Sequence, residues 1–224
     1  MNNWNGIVSL LFASIELLLI INIFIFTEKN KINYLAIGVI LLLTGYQFME
    51  WIMCGLGIDT PFVAFLAFTD ISFLPPLGLY FVLSFYGYKS KYFKLFFLPA
   101  IAFLVYYATI INHFNVNTCT VFYAVYKYPQ GDLYGFFYYV PILITMIFLA
   151  RGIKKSPDKK IIHLSKVLLT AYILISLPVI AAFILVLTGN FGLIQAIVSV
   201  MCKFAIILAV ALTYFTLINK KTNE

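Results

Sequence analysis

One lysine and three carboxylic acids stand inside stretches that are otherwise apolar. Lys203 lies near the middle of Gln195-Ala196-Ile197-Val198-Ser199-Val200-Met201-Cys202-Lys203-Phe204-Ala205-Ile206-Ile207-Leu208-Ala209, an apolar run that continues to about Leu217. It follows the turn Gly189-Asn190-Phe191-Gly192 by about 12 residues, which at a rise of about 1.5 Å per residue buries its Cα roughly 18 Å below a membrane surface. A lone ammonium there costs about 3 kcal/mol on insertion scales. It must find a carboxylate, give up its proton, or be used covalently. Gln195, Ser199 and Lys203 recur at i, i+4, i+8 and form one polar stripe. Glu16, Glu50 and Asp70 lie about 15, 7 and 12 Å from the outer ends of their own apolar runs. Side chains lean toward a helix N-terminus, so the Lys203 amine reaches outward to a depth near Asp70. Depth alone therefore predicts Asp70 as its first partner and Glu50 as the next, with Glu16 and Gln47 secondary.

Fully ionised, three carboxylates and one ammonium would carry an excess of negative charge, so in a low dielectric at least one carboxyl should keep a proton. Such a set can hold a proton, a small cation or an amine-bearing ligand. The plain alternative is a buried bridge that only fixes helix packing. Such bridges stabilise poorly against apolar replacements, whereas ionisable groups within membranes usually serve a function. Gln47, Glu50 and Cys54 share a face of their helix, and Thr69 and Ser72 flank Asp70. His113 and His163 read as surface residues.

The elements that must position these groups follow from composition. The chain is 63% hydrophobic and 10% charged, with mean hydropathy +1.01, which no soluble domain of this length matches. The expected fold is an all-α, multi-pass cell-membrane protein of seven transmembrane helices in one domain, at about 6–27, 33–55, 62–86, 93–112, 132–151, 165–188 and 192–217. The first run, Ile7 to Phe26, is too long and lacks the basic flank for a cleavable signal peptide. Residues 113–131 form a loop long enough to cap the bundle. Pro75-Pro76 should break the third helix, and Pro99, Pro141 and Pro178 should interrupt the fourth, fifth and sixth.

Charge sets the orientation. Lys29, Lys31, Lys89, Lys91, Lys94, Arg151, Lys154, Lys155, Lys159, Lys160, Lys166, Lys220 and Lys221 fall on one side, and Lys127 stands alone on the other. The positive-inside rule then places the N-terminus outside and the C-terminus in the cytoplasm. The net charge of +7 is thus a topology and anionic-lipid signal, with no nucleic-acid partner implied. The partners expected are the bilayer and an unknown small ligand or cation, with an oligomer left open. Cys54 and Cys119 fall on the outer side and can pair if that side is oxidising; free thiols in an apolar setting are the other reading.

Enzyme chemistry finds little support. Two histidines on opposite sides cannot build a zinc site. There is no GxSxG elbow and no glycine-rich phosphate loop.

Two resemblances rest on short motifs. Gln47-x-x-Glu50, Phe73-Leu74-Pro75-Pro76, Gly131-x-Leu133-Tyr134 with Tyr139, and Ser199-Val200-Met201-Cys202-x-Phe204-Ala205 resemble a group of bacterial and archaeal seven-helix integral membrane proteins without an assigned activity. That resemblance implies a fold and a topology. The group's usual residue at the Lys203 position is aromatic. Asp70-x-x-Phe73-x-x-Pro76-Leu77, with a lysine in the last helix, is similar to microbial rhodopsins. It implies retinal as cofactor, Lys203 as the Schiff-base lysine and Asp70 as counterion. Ala67, Ile71, Ser199, Leu174 and Leu177 depart from that family's pattern and leave the polyene without its usual aromatic clamp. The reading that follows is a non-enzymatic sensor or carrier. It would bind a small ligand, proton or cation through Lys203, Asp70, Glu50, Glu16, Gln47 and Ser199, with 113–131 as lid.

Overall fold

The structure, a computed structural model, describes residues 4–88, 91–187 and 194–219, with side chains described for these except 91–92, 182–187 and 194–199. The helices are α1 (Ile7–Phe26), α2 (Lys31–Cys54), α3 (Pro61–Ser72), α4 (Leu74–Phe85), α5 (Leu98–Thr109), α6 (Gly131–Lys155), α7 (Lys159–Leu187) and α8 (Ile194–Ile218). A two-stranded antiparallel hairpin, β1 (Asn115–Cys119) and β2 (Ala124–Lys127), lies between α5 and α6. Among the described residues, six helical segments are long and apolar enough to cross a membrane, α3 and α4 counting as one; Phe93–Thr109 is a shorter apolar helix. The fold is therefore helical with one hairpin, where the sequence pattern gave helices alone.

Local chemistry sets the boundaries. The Asn30 side chain caps α2 by accepting from the Asn33 amide at 2.9 Å, satisfying one of the donors a helix start leaves free. Thr60 caps α3, with Pro61 in its first turn, where a missing N–H costs nothing. Asp132 in the first turn of α6 and Lys154 and Lys155 in its last complement the helix dipole. The expected third helix breaks at Phe73, because Pro75 and Pro76 cannot donate to the carbonyls of Ile71 and Ser72. The expected fourth helix, 93–112, is instead a 3-10 segment Lys91–Phe97, then α5, then a second 3-10 turn Ile111–His113. Pro99 starts α5 rather than interrupting it; Pro141 and Pro178 do lie within α6 and α7.

Helix α2 packs against α1, α3, α4 and α8, and α8 packs against α1, α2 and α7. Leu11, Leu17, Leu18, Ile25 and Phe26 of α1 are exposed, an apolar surface of the kind that suits contact with lipid. The hairpin sits over the ends of α1, α2 and α8. Gly6 donates to the Thr120 carbonyl at 2.9 Å and Val8 to that of Val121 at 3.4 Å, and β2 contacts α8. Under it Phe68 is ringed by Tyr107, Phe114, Tyr126, Tyr128 and Tyr134, with ring centroids 4.2 to 6.1 Å apart.

The strand register pairs Asn115 with Lys127, Val116 with Tyr126, Thr118 with Val125 and Cys119 with Ala124, with an irregularity between Val116 and Thr118. The turn is closed by Thr120, whose hydroxyl accepts from the amides of Phe122 at 3.2 Å and Tyr123 at 2.9 Å. A threonine thus does the work that Asn-Gly does in commoner hairpins. Cys54 and Cys119 are joined, with Cα atoms 5.3 Å apart. The free-thiol reading of that pair is corrected.

Candidate functional site

Lys203 is buried at the junction of α8 with α1 and α2. Its ammonium donates to Ser9 Oγ at 2.8 Å, to Gln47 Oε1, and to Glu50 Oε2 at 3.0 Å. A protonated lysine has three donors, and all three are used. Gln47 is held in turn, its Nε2 donating to the Cys202 carbonyl at 2.8 Å. Glu50 uses both oxygens, because Oε1 accepts from the Ala124 amide of β2 at 3.0 Å. The site is sealed: Glu50 and Gln47 are 1% exposed and Ser9 0%.

The helix periods explain the gathering. On α2, Thr44, Gln47, Glu50 and Cys54 follow at i, i+3, i+6, i+10 and share one face; on α1, Ser9 and Glu16 are two turns apart on one face. Glu16 is fully buried and is close enough to Lys203 to interact electrostatically, with Thr44 beside it. Neither of its oxygens has a hydrogen-bond partner among the described residues. The neighbouring Thr44 hydroxyl donates elsewhere, to the Ile40 carbonyl at 2.9 Å.

Asp70 is not the partner of Lys203. The ion pair is Lys203–Glu50, and Asp70 packs against Gly45, where an added methyl would lie 2.5 Å from Oδ2. Gly45 and Gln47 are two residues apart and so project on nearly opposite sides of α2. Asp70 has the right depth and the wrong side. Its Oδ2 and the Thr69 hydroxyl lack partners among the described residues. Ser72 Oγ instead meets Tyr134 Oη at 3.0 Å. The Ser199 and Gln195 side chains lie outside the described residues, as do Lys89, Lys220, Lys221 and the turn 189–192. His113 and His163 are exposed, and His163 Nε2 meets Tyr214 Oη at 2.9 Å.

Three participants went unread in the sequence. Ser9 carried a signal, its seven-residue spacing to Glu16. The Ala124 amide carried none, being backbone. Tyr126 of β2 packs on Tyr46 with ring centroids 6.5 Å apart. Burial, with Glu50 nearby, holds its phenol well above the ordinary tyrosine range, so it stays neutral; its Oη has no hydrogen-bond partner among the described residues.

Below the ion pair is an apolar cavity with Tyr46, Tyr138, Tyr139, Tyr172, Met201 and Cys202 in its wall. Its free space accommodates a water molecule or two. Lys203 and Asp70 are not among its lining residues. The retinal expectation gains nothing from this arrangement, since the amine is engaged with α1 and α2 outside the cavity. No family model matches the chain, and neither the curated proteins nor the solved structures contain a significant match.

Proposed function

We propose that the protein is a multi-pass membrane sensor or carrier that binds a proton or small cation between α1, α2 and α8, held here in its closed state. The carrying observation is Glu16. A fully buried carboxyl without a hydrogen-bond partner among the described residues is costly, and it interacts electrostatically with an ammonium whose three donors are spent on other groups. Two carboxyl groups face one positive charge, so one further proton or cation completes the balance. Glu16 would offer Lys203 a second acceptor when that charge leaves. Any such exchange acts on Glu50, and through Glu50 on the hairpin.

The topology in this proposal is seven crossings, N-terminus outside and C-terminus in the cytoplasm. The lysine distribution supports it. So does the Cys54–Cys119 bond, which belongs on an oxidising side. The hairpin lies at the α1 N-terminus, while Tyr86 after α4 meets Ser165 early in α7 at 2.6 Å. Both contacts support a crossing by the short chain between them.

A purely structural bridge is the second reading, favoured by the sealed, fully bonded Lys203. Thermal melting in detergent across pH and a panel of monovalent cations and small amines separates the two. Binding at this site predicts that stability depends on at least one of them and that Glu16→Gln abolishes the dependence. Identical curves for wild type and variant would leave only the structural bridge.

A further inference from the structure

The cross-strand pair Cys119–Ala124 docks on two residues one helical turn apart on the same face of α2. Cys119 is bonded to Cys54, and the Ala124 amide donates to Glu50. The hairpin is thus held by one covalent and one carboxylate-mediated latch at the same spot, directly over Lys203. Any change at the Lys203–Glu50 pair bears only on the second latch. The disulfide still ties β1 to the end of α2.

We propose that the Cys54–Cys119 disulfide is a redox lock on this lid, so that the site opens to the hairpin side only after reduction by a dithiol on that side. The proposal rests on the lid reading of the hairpin and on entry from its side. Cys54 is 1% exposed and Cys119 is half-buried, so attack is directed to the Cys119 sulfur. A thiolate of the reductant bonds to Cys119 Sγ, the Cys54–Cys119 bond breaks, and its electron pair leaves on Cys54 Sγ, which takes a proton. The reductant's second thiol attacks the mixed disulfide and releases Cys119, which is protonated. The dithiol ends as a disulfide and the pair as two thiols.

Cys202 supplies a built-in reporter. It is the free thiol of the chain, and it is buried beneath the lid beside Tyr46 and near Tyr126. The experiment measures labelling of Cys202 by a charged, membrane-impermeant maleimide in wild type and in Cys54→Ser/Cys119→Ser, which keep this same single thiol. The lock predicts labelling faster in the double variant on the order of tenfold or more, as local opening exposes what the closed state protects. Circular dichroism establishes that the variant retains its helices. Wild type is also reduced by a dithiol and its adducts counted by intact mass. Three adducts per chain support the lock; two, with Cys202 still protected, or equal labelling rates in the first comparison, overturn it. The pH and cation dependence assigned to Glu16 is read in the Cys54→Ser/Cys119→Ser variant, which has no lock, so either proposal can fail alone.

Discussion

Lys203 and Glu50, 153 residues apart, meet at 3.0 Å, and the other oxygen of the same carboxylate holds the Ala124 amide of the hairpin at 3.0 Å. One glutamate therefore joins the last helix, the second helix and the hairpin.

Breaking that junction from one side should be costly. Lys203→Met leaves Glu50 buried beside a neutral group and should destabilise by about 3–5 kcal/mol. Adding Glu50→Gln should recover part of the loss, with a coupling of about 0.5–3 kcal/mol. Pairing Lys203→Met with Asp70→Asn should give additive losses. Melting of the detergent-solubilised variants reads both cycles, and strong coupling to Asp70 would contradict the geometry.

Glu16→Gln should behave unlike Glu50→Gln. Glu16 has no hydrogen bond to lose among the described residues, so its amide isostere should alter stability by about 1 kcal/mol or less. Glu50→Gln weakens two contacts at once and should melt clearly earlier. Equal losses at the two positions would place Glu16 in the bonded network.

Gly45 makes room for Asp70. Gly45→Ala puts a methyl 2.5 Å from Oδ2 and should cost about 1–3 kcal/mol as overpacking. Asp70→Ala in the same chain should relieve most of it. A harmless single change would mean that Asp70 swings aside freely.

Added all-trans retinal should give no colour. The Lys203 amine is engaged by three acceptors, and Asp70 lies across α2 from it, unable to serve as counterion. A visible band lost in Lys203→Ala would reverse this conclusion.

The sequence made six membrane-length helical segments legible among the described residues, because an apolar run of roughly 20 residues is set by the thickness of a bilayer. It located Glu16, Gln47, Glu50 and Lys203 by depth and by spacing. It misassigned Asp70 because depth carries no facing, and facing depends on which side of α2 each neighbour packs. Gly45, two residues from Gln47, was the unread clue: a bare Cα in an apolar helix marks a close approach. The hairpin was hidden because Val116, Thr118, Val125 and Tyr126 alternate over too few residues, without Asn-Gly at the turn. The sequence pattern reads α5 too long because an apolar run persists through the 3-10 turns that flank it.

Infrared difference spectroscopy of the protein in lipid bilayers tests the central claim most directly. Spectra are taken as pH or monovalent cation is varied, in wild type and Glu16→Gln. The account predicts a protonated-carboxyl carbonyl band that changes with the titrant and is missing from the variant. A band that does not respond, or that persists unchanged in Glu16→Gln, would contradict it.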